Sequence, residues 1–112
     1  MSISYNGIGQ QVVTFPQDGC VEGMVCKLNA DGIIVGCTAG ERPCGKVIAV
    51  EDMYAAVVME GFVSMPYSGI APTCGWCKLS ANGNGGLKVD STGTTYLVAE
   101  VDEMANICVM KL

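Results

Sequence analysis

An internal repeat with a period of about fifty residues constrains this chain more than any other feature of its sequence. A shift of about that length aligns five pairs of segments: Val13–Pro16 with Val63–Pro66, Cys26–Leu28 with Cys77–Leu79, Asp31-Gly32 with Asn82-Gly83, Val50–Met53 with Val101–Met104, and Val58-Met59 with Val109-Met110. Two copies are too few for a stacked solenoid. The repeat therefore predicts one compact domain with pseudo-two-fold symmetry, in which shared positions serve the fold.

The composition favours short β-strands. Fifteen glycines divide the 112-residue chain into segments rich in Val, Ile and Tyr, which are residue types that favour strands. Ten strands are predicted: 11–15, 24–28, 33–37, 45–50 and 55–62 in the first copy, and 63–65, 76–79, 86–89, 95–101 and 106–111 in the second. Asp31-Gly32 and Asn82-Gly83 predict hairpin turns, because these dipeptides tolerate the positive φ that tight hairpins require.

The predicted fold is all-β. We expect a compact barrel or sandwich of short strands, built from two pseudo-symmetric halves at about 12–61 and 62–112 within a single β domain, 11–112. Residues 1–10 are polar and lie outside the repeat, so they are expected to form an extended, flexible N-terminal arm.

One segment has a helical alternative. Lys46–Glu60 contains no Gly or Pro and would also suit a buried helix. Its copy, Leu97–Lys111, places β-branched residues on both sides of an acidic turn, which favours two strands. A short helical turn at Glu51–Ala55 stays open.

The charge and composition argue against several functional classes. The net charge is −5, with six Lys and Arg and no basic cluster, so nucleic-acid binding is not expected. The chain has no histidine, the commonest general base, and we expect no enzyme and no cofactor. No apolar run approaches the ~20 residues of a membrane span, and the N-terminus lacks the features of a secretion signal. We therefore expect a protein that is made and used without export.

The seven cysteines offer two chemical alternatives to plain buried thiols. Cys20, Cys26, Cys74 and Cys77 are weak candidates for a structural zinc site, because four thiolates suit zinc. Cys74-Gly75-Trp76-Cys77 has the spacing of a thiol–disulfide site, which would require a following helix. The sequence predicts a strand there, so free thiols in a reducing compartment are the preferred interpretation, without a metal.

Two further motifs are interpreted as turns. The acidic pairs Glu51-Asp52 and Asp102-Glu103 lack the closely spaced oxygen ligands of a calcium loop, which favours solvated turn tips. The Gly83–Gly86 segment precedes a strand, whereas a phosphate-binding loop would precede a helix. We interpret it as a flexible hairpin tip.

The methionines and aromatic residues are candidates for packing or for contacts with a partner. Core packing is the first expectation, and adaptable protein contacts the second, for six methionines: Met24, Met53, Met59, Met65, Met104 and Met110. Trp76, Tyr67 and Phe62 are candidate interface anchors.

The order of these signals along the chain resembles that of small bacteriophage capsid-decoration, or head-stabilising, proteins. The resemblance rests on six segments: Val21–Val25, Gly45–Val50, Ala56–Val63, Gly75–Leu79, Leu97–Val101 and Ile107–Leu112. It extends over nearly the whole chain from Gln11 onward. The high cysteine content departs from the family pattern.

The resemblance implies a function and a set of partners. It implies a virion protein, made in the bacterial host cytoplasm, that binds the major capsid protein on the outer capsid surface and stabilises the head. It also implies a homo-oligomer, often a trimer, and an arm that orders on the capsid as an added strand. The alternatives are another phage structural subunit of the tail or of head completion, or a small zinc or thiol module.

Overall fold

The computed structural model describes residues 9–112, and all regular secondary structure within that range is β. The strands are β1 (Gln11–Pro16), β2 (Val25–Leu28), β3 (Ile34–Gly36), β4 (Gly45–Glu51), β5 (Tyr54–Glu60), β6 (Phe62–Pro66), β7 (Gly75–Ala81), β8 (Leu87–Val89), β9 (Thr94–Asp102) and β10 (Ile107–Lys111). Each lies where the sequence predicts a strand. Residues 1–8 of the expected arm lie outside the described residues. Among the described residues, no helix is long and apolar enough to cross a membrane.

The strands form two five-stranded antiparallel sheets with the same topology. The first sheet has the order β1-β5-β4-β2-β3, and the second has the order β6-β10-β9-β7-β8. Adding five to each strand number of the first order produces the second. The all-β fold with two pseudo-symmetric halves is therefore confirmed.

Each sheet curls until its two edge strands meet. A parallel bridge joins Gln17 to Ile34 in the first half, and another joins Tyr67 to Leu87 in the second. The Asp18 amide donates to Ile34 O at 3.0 Å, and the Ser68 amide donates to Leu87 O at 2.9 Å. Each half is thus barrel-like, and the bridge covers part of both sheet edges.

The pairing registers confirm part of the sequence alignment of the two halves. Both β4 and β9 carry a bulge, at Ile48 and Ala99, which are equivalent positions. Cys26 and Cys77 are also equivalent, because their partners on the neighbouring strands, Gly45 and Tyr96, occupy the same place in the repeat.

At two other places the sequence alignment is wrong by two residues. The sequence alignment pairs Asn82 with Asp31. In the structure Asn82 begins the turn after β7 and is equivalent to Asn29, because β7 extends two residues further than β2 before its turn. Likewise, Met110 is equivalent to Val57, because the turn between β9 and β10 is two residues longer than that between β4 and β5. A shift of two residues keeps each side chain on the same face of its strand, so it does not disturb the core.

The helical alternative for Lys46–Glu60 is wrong. The segment forms the β4–β5 hairpin, in which Glu51 pairs with Tyr54 across a two-residue turn. Asp52 occupies that turn with φ of 54°, so the open possibility of a helical turn at Glu51–Ala55 is also excluded.

The interior consists of two packed clusters of apolar side chains. The first cluster lies within the first half and contains Cys20, Cys26, Ile34, Val47, Ala55 and Val57. The second cluster lies within the second half but also includes Val25 and Val58 from the first. These two valines sit on the outer face of the first sheet and join the halves at a common seam.

Hydrogen bonds reinforce the seam. The Val25 amide donates to Gly85 O at 3.0 Å, and Lys46 Nζ donates to Ser64 Oγ at 3.1 Å. The Ala81 amide donates to Glu41 O at 2.9 Å. The outer face of the first sheet therefore packs against β6 and the β7–β8 loop of the second half.

Candidate functional site

The four zinc-candidate cysteines lie in different environments. Cys20 and Cys26 are buried in the first-half cluster, Cys77 is half-buried against the second-half cluster, and Cys74 is exposed. Among the described residues, no group of three or more His, Cys, Asp or Glu is arranged to hold a metal. The structure thus does not gather these four thiols into one site.

The Cys74–Cys77 motif begins a strand. Gly75 is the first residue of β7, so Trp76 and Cys77 point to opposite faces of the second sheet. Both cysteines are free thiols. The motif lacks the helix N-terminus that lowers a thiol pKa in thiol–disulfide enzymes.

A thiol pair that the sequence analysis did not predict joins Cys26 to Cys44. The Cys44 amide donates to Cys26 O at 2.8 Å. A hydrogen bond between the two side chains raises the pKa of Cys26 and lowers the pKa of Cys44, because the Cys26 thiol stabilises the Cys44 thiolate. Only the three-dimensional pairing of β2 with β4 reveals this contact, since the two residues are far apart in sequence.

Cys44 also lines a cleft of about 260 Å³ at the seam between the halves. The cleft is lined by Arg42, Pro43, Cys44, Met59, Tyr96 and Leu112. The Tyr96 hydroxyl is buried and has no hydrogen-bond partner among residues 9–112. The lining residues include no Asp or Glu that could act as a base for the thiol, and Arg42 contributes a cation to the lining.

The acidic pairs are exposed turn residues, as the sequence analysis expects. Glu51 ends β4 and Asp52 follows it in the turn, while Asp102 ends β9 and Glu103 follows it. Asp102 Oδ1 accepts hydrogen bonds from the amides of the two residues that follow Glu103, at 3.1 and 3.2 Å. The Asp102 carboxylate therefore shapes the β9–β10 turn.

The same two turns expose methionines, which corrects the expectation of core packing for two of the six. Met53 is 69% exposed and Met104 is 97% exposed, whereas Met65 and Met110 are fully buried. We call Met53 with Tyr54 the first apolar tip, and Met104 with Ile107 the second apolar tip. All four side chains are exposed, and the two tips occupy equivalent turns.

The Gly83–Gly86 segment is the β7–β8 loop, and it packs on the first half instead of projecting as a flexible tip. Gly83 lies against the backbone of Ala39, and Gly85 lies against Met24. Asn82 Oδ1 accepts hydrogen bonds from the amides of Asn84 and Gly86 at 2.7 and 3.1 Å. The loop is therefore part of the seam.

Of the three candidate aromatic anchors, only Trp76 is exposed. Tyr67 is buried and Phe62 is half-buried. Trp76 pairs with Leu97, and Leu97 pairs with Lys111 on the next strand, so the three side chains form a row across β7, β9 and β10. We call this row the Trp76 surface.

The Trp76 surface lies on a cleft and carries positive charge that has no ion-pair partner among the described residues. Trp76, Leu97 and Lys111 line a cleft of about 230 Å³, together with Arg42 from the first half. Within residues 9–112, neither Arg42 nor Lys111 forms an ion pair; the one pair there joins Lys27 to Glu41. An aromatic residue beside unpaired cations is a typical protein-binding anchor.

Comparison with known proteins identifies no relative, since no protein-family model and no curated protein matches this chain.

Proposed function

We propose that this protein is a bacteriophage virion structural protein that binds the outer surface of the capsid and stabilises the head. The observation that carries the proposal is the pair of apolar tips. Exposed methionines occupy equivalent turns of two barrel-like halves, where their flexible side chains suit adaptable protein contacts.

Two equivalent tips on one rigid body support a bridging role. A chain that holds one capsid subunit by each tip joins the two subunits, and the second contact forms at a high effective concentration once the first exists. Each contact can then be weak while attachment to the shell is strong. The acidic residues beside each tip, such as Asp52 and Glu103, favour a partner surface with positive charge.

The experiment measures binding of the purified protein to expanded heads that lack it. We expect Met53→Ser and Met104→Ser to weaken binding by about tenfold each, and the double variant by about a hundredfold, because each tip contributes one of the two linked contacts. Val21→Ser, which changes an exposed apolar residue that belongs to neither tip, is the matched control. Failure of the unchanged protein to bind heads, or full binding by the double variant, would refute the proposal.

A tail or head-completion subunit would give a different result in the same experiment. Such a subunit would bind at the tail or at the single vertex that carries it, so about one ring of copies would attach to each particle. A capsid-surface protein instead attaches in many copies over the whole shell. Counting bound chains per head therefore distinguishes the two phage structural roles.

A further inference from the structure

The Cys26–Cys44 thiol pair joins a fully buried sulfur to a sulfur that lies on a cleft. Cys26 is 0% exposed and belongs to the first-half cluster, whereas Cys44 is half-buried and packs against that cluster. Cys44 lines the cleft of about 260 Å³ at the seam, and Cys26 is not among the lining residues. A molecule that enters the cleft therefore meets Cys44, with Cys26 behind it.

Backbone pairing holds the two thiols together. Cys26 pairs with Gly45 in the β2–β4 ladder, and the Cys44 amide donates to Cys26 O at 2.8 Å. Cys44 precedes the first residue of β4, so its side chain is outside the strict alternation of the strand and packs against the same cluster as Cys26. A hydrogen bond between the two side chains completes the contact. The two sulfurs are therefore neighbours in the folded chain.

The surroundings of the pair favour a thiolate on Cys44. Its sulfur accepts hydrogen bonds from the Cys26 thiol and from the Leu28 amide, and these bonds lower the pKa of Cys44 although burial opposes them. The hydrogen bond to Cys44 and its own burial raise the pKa of Cys26, so Cys26 keeps its proton. The thiolate is the nucleophile in thiol–disulfide exchange, which makes Cys44 the attacking sulfur and Cys26 the resolving one.

The cleft beside Cys44 has polar groups that suit an anionic ligand. Arg42 lines it, and Arg42 forms no ion pair within residues 9–112. Tyr96 also lines it, and the buried hydroxyl of this residue has no hydrogen-bond partner among the same residues. The lining contains no Asp or Glu. An incoming carboxylate thus meets a cation and no like charge.

We propose that Cys44 and Cys26 form a dithiol site that reduces a small disulfide carrying carboxylate groups and is itself converted to an internal disulfide. The partner follows from the chemistry of the cleft, where a nucleophilic sulfur lies beside an unpaired cation. This inference does not rest on the proposed function, because it concerns a reaction of the free chain.

Two exchange steps produce the internal disulfide. In the first step, the Cys44 thiolate attacks one sulfur of the small disulfide, and the other half leaves as a thiolate. In the second step, Cys26 gives its proton to that thiolate and attacks the Cys44 sulfur, which releases the second half. The second half takes up the proton that Cys44 had lost to water. The thiol pair loses two electrons, the small disulfide gains them, and two small thiols are formed.

The test incubates the reduced protein with oxidised glutathione, a disulfide that carries carboxylates. Remaining thiols are alkylated, and the tryptic peptides are mapped by mass spectrometry. Trypsin leaves Cys26 in residues 1–27 and Cys44 in residues 28–46, because it does not cleave between Arg42 and Pro43. We expect these two peptides to become linked in the unchanged protein.

Two variants separate the steps. Cys26→Ser should stop the reaction with glutathione bound to Cys44, because the resolving sulfur is gone. Its hydroxyl keeps a donor for Gly45 O, which accepts from Cys26 Sγ at 3.5 Å. Cys44→Ser should leave Cys26 unmodified, because the buried thiol is not reached from the cleft. An unchanged thermal unfolding midpoint verifies that each variant is folded.

Cys20 and Cys37 are the controls for the identity of the pair, because they lie in the same two peptides. Cys20→Ser and Cys37→Ser should each still form the linked peptides. Fragmentation of the linked peptides identifies the bonded cysteines in the unchanged protein, so the assignment does not depend on the folding of any variant.

The role of Arg42 is tested with disulfides of opposite charge. Arg42→Gln should slow the reaction with oxidised glutathione by about tenfold and should not slow the reaction with cystamine, whose two amines are positively charged. Lys78→Gln removes an exposed cation that does not line the cleft, and this matched control should leave both rates unchanged.

Three results would overturn the proposal. The first is an unchanged protein in which Cys44 stays unmodified, or in which glutathione stays on Cys44 without release. The second is a disulfide that contains Cys20 or Cys37 in place of Cys26 or Cys44. The third is an Arg42→Gln variant that slows both reagents alike or neither, which would contradict recognition of the carboxylates.

Discussion

At the scale of single residues, the same position in the repeat has different physical tasks in the two halves. Gly45 of β4 has no room for a side chain, because a Cβ would lie 2.4 Å from Val58 O. Its equivalent in β9 is Tyr96, a buried residue that packs in the second-half cluster. The residue type at each of these equivalent positions therefore depends on local packing more than on the repeat.

Glu41 links the stability of the fold to pH. Its carboxylate accepts hydrogen bonds from Lys27 Nζ and from the amide and hydroxyl of Thr38, which together lower its pKa to about 2. An unfolded glutamate binds a proton near pH 4.5. Between these values the unfolded state binds more protons than the folded state, so the contribution of Glu41 to stability is complete above about pH 4.5 and is lost as the pH falls towards about 2.

We therefore expect Glu41→Gln to be less stable than the unchanged protein at neutral pH, with the difference shrinking as the pH is lowered. Urea unfolding midpoints between about pH 7 and pH 2 measure this difference. Lys27→Met removes the principal partner of Glu41 and should reproduce much of the effect. Parallel pH profiles for Glu41→Gln and the unchanged protein would contradict the assignment.

At the scale of elements, the β2–β3 turn and the β7–β8 loop repeat closely. The β2–β3 turn and the β7–β8 loop each begin with an asparagine whose side-chain oxygen accepts amides two and four residues later. Gly32 and Gly85 occupy the same position in the two turns, with φ of 76° and 86°. The positive φ explains why the hairpin signals in the sequence located both turns correctly.

The turn geometry makes a prediction for Gly32. Gly32→Val should destabilise the fold by about 1–2 kcal/mol, because a β-branched residue resists positive φ. Gly32→Asn is the control, since asparagine tolerates that conformation and should lose much less. Gly83→Val should lose more than Gly32→Val, because its side chain would also press on the Ala39 backbone at the seam. Chemical unfolding measures all three; equal stability of the valine and asparagine variants would count against the turn.

At the scale of the whole molecule, one cluster of buried side chains spans the seam between the two halves. Val25 and Val58 belong to the first half in sequence but pack in the second-half cluster. Removing two buried valines from water contributes about 3 kcal/mol or more. That amount is a large part of the ~5–15 kcal/mol that stabilises a typical domain.

A fragment containing residues 62–112 alone should therefore lack a cooperative unfolding transition. Mixing it with a fragment of residues 1–61 should restore the transition, because the first half supplies Val25, Val58 and the seam hydrogen bonds. Thermal unfolding followed by circular dichroism tests both statements. A 62–112 fragment that unfolds cooperatively on its own would show that the second half has a sufficient core without the seam.

The sequence by itself determined the β class, the strand positions, the turns and the repeat. These features depend on local chemistry: glycine at positive φ, β-branched runs, and the apolar pattern along each strand. The two-residue shifts at Asn82 and Met110 do not change the apolar pattern of the sequence, because they preserve the face of each strand.

Only the tertiary structure decided which outer sheet face is covered. Val25 and Trp76 are both apolar residues at equivalent places in short strands, and nothing in their local sequence distinguishes a buried side chain from an exposed one. The distinction arises when one half packs on the other, a contact between residues that are distant along the chain. For the same reason, the Cys26–Cys44 thiol pair and the exposure of the Trp76 surface became visible only in three dimensions.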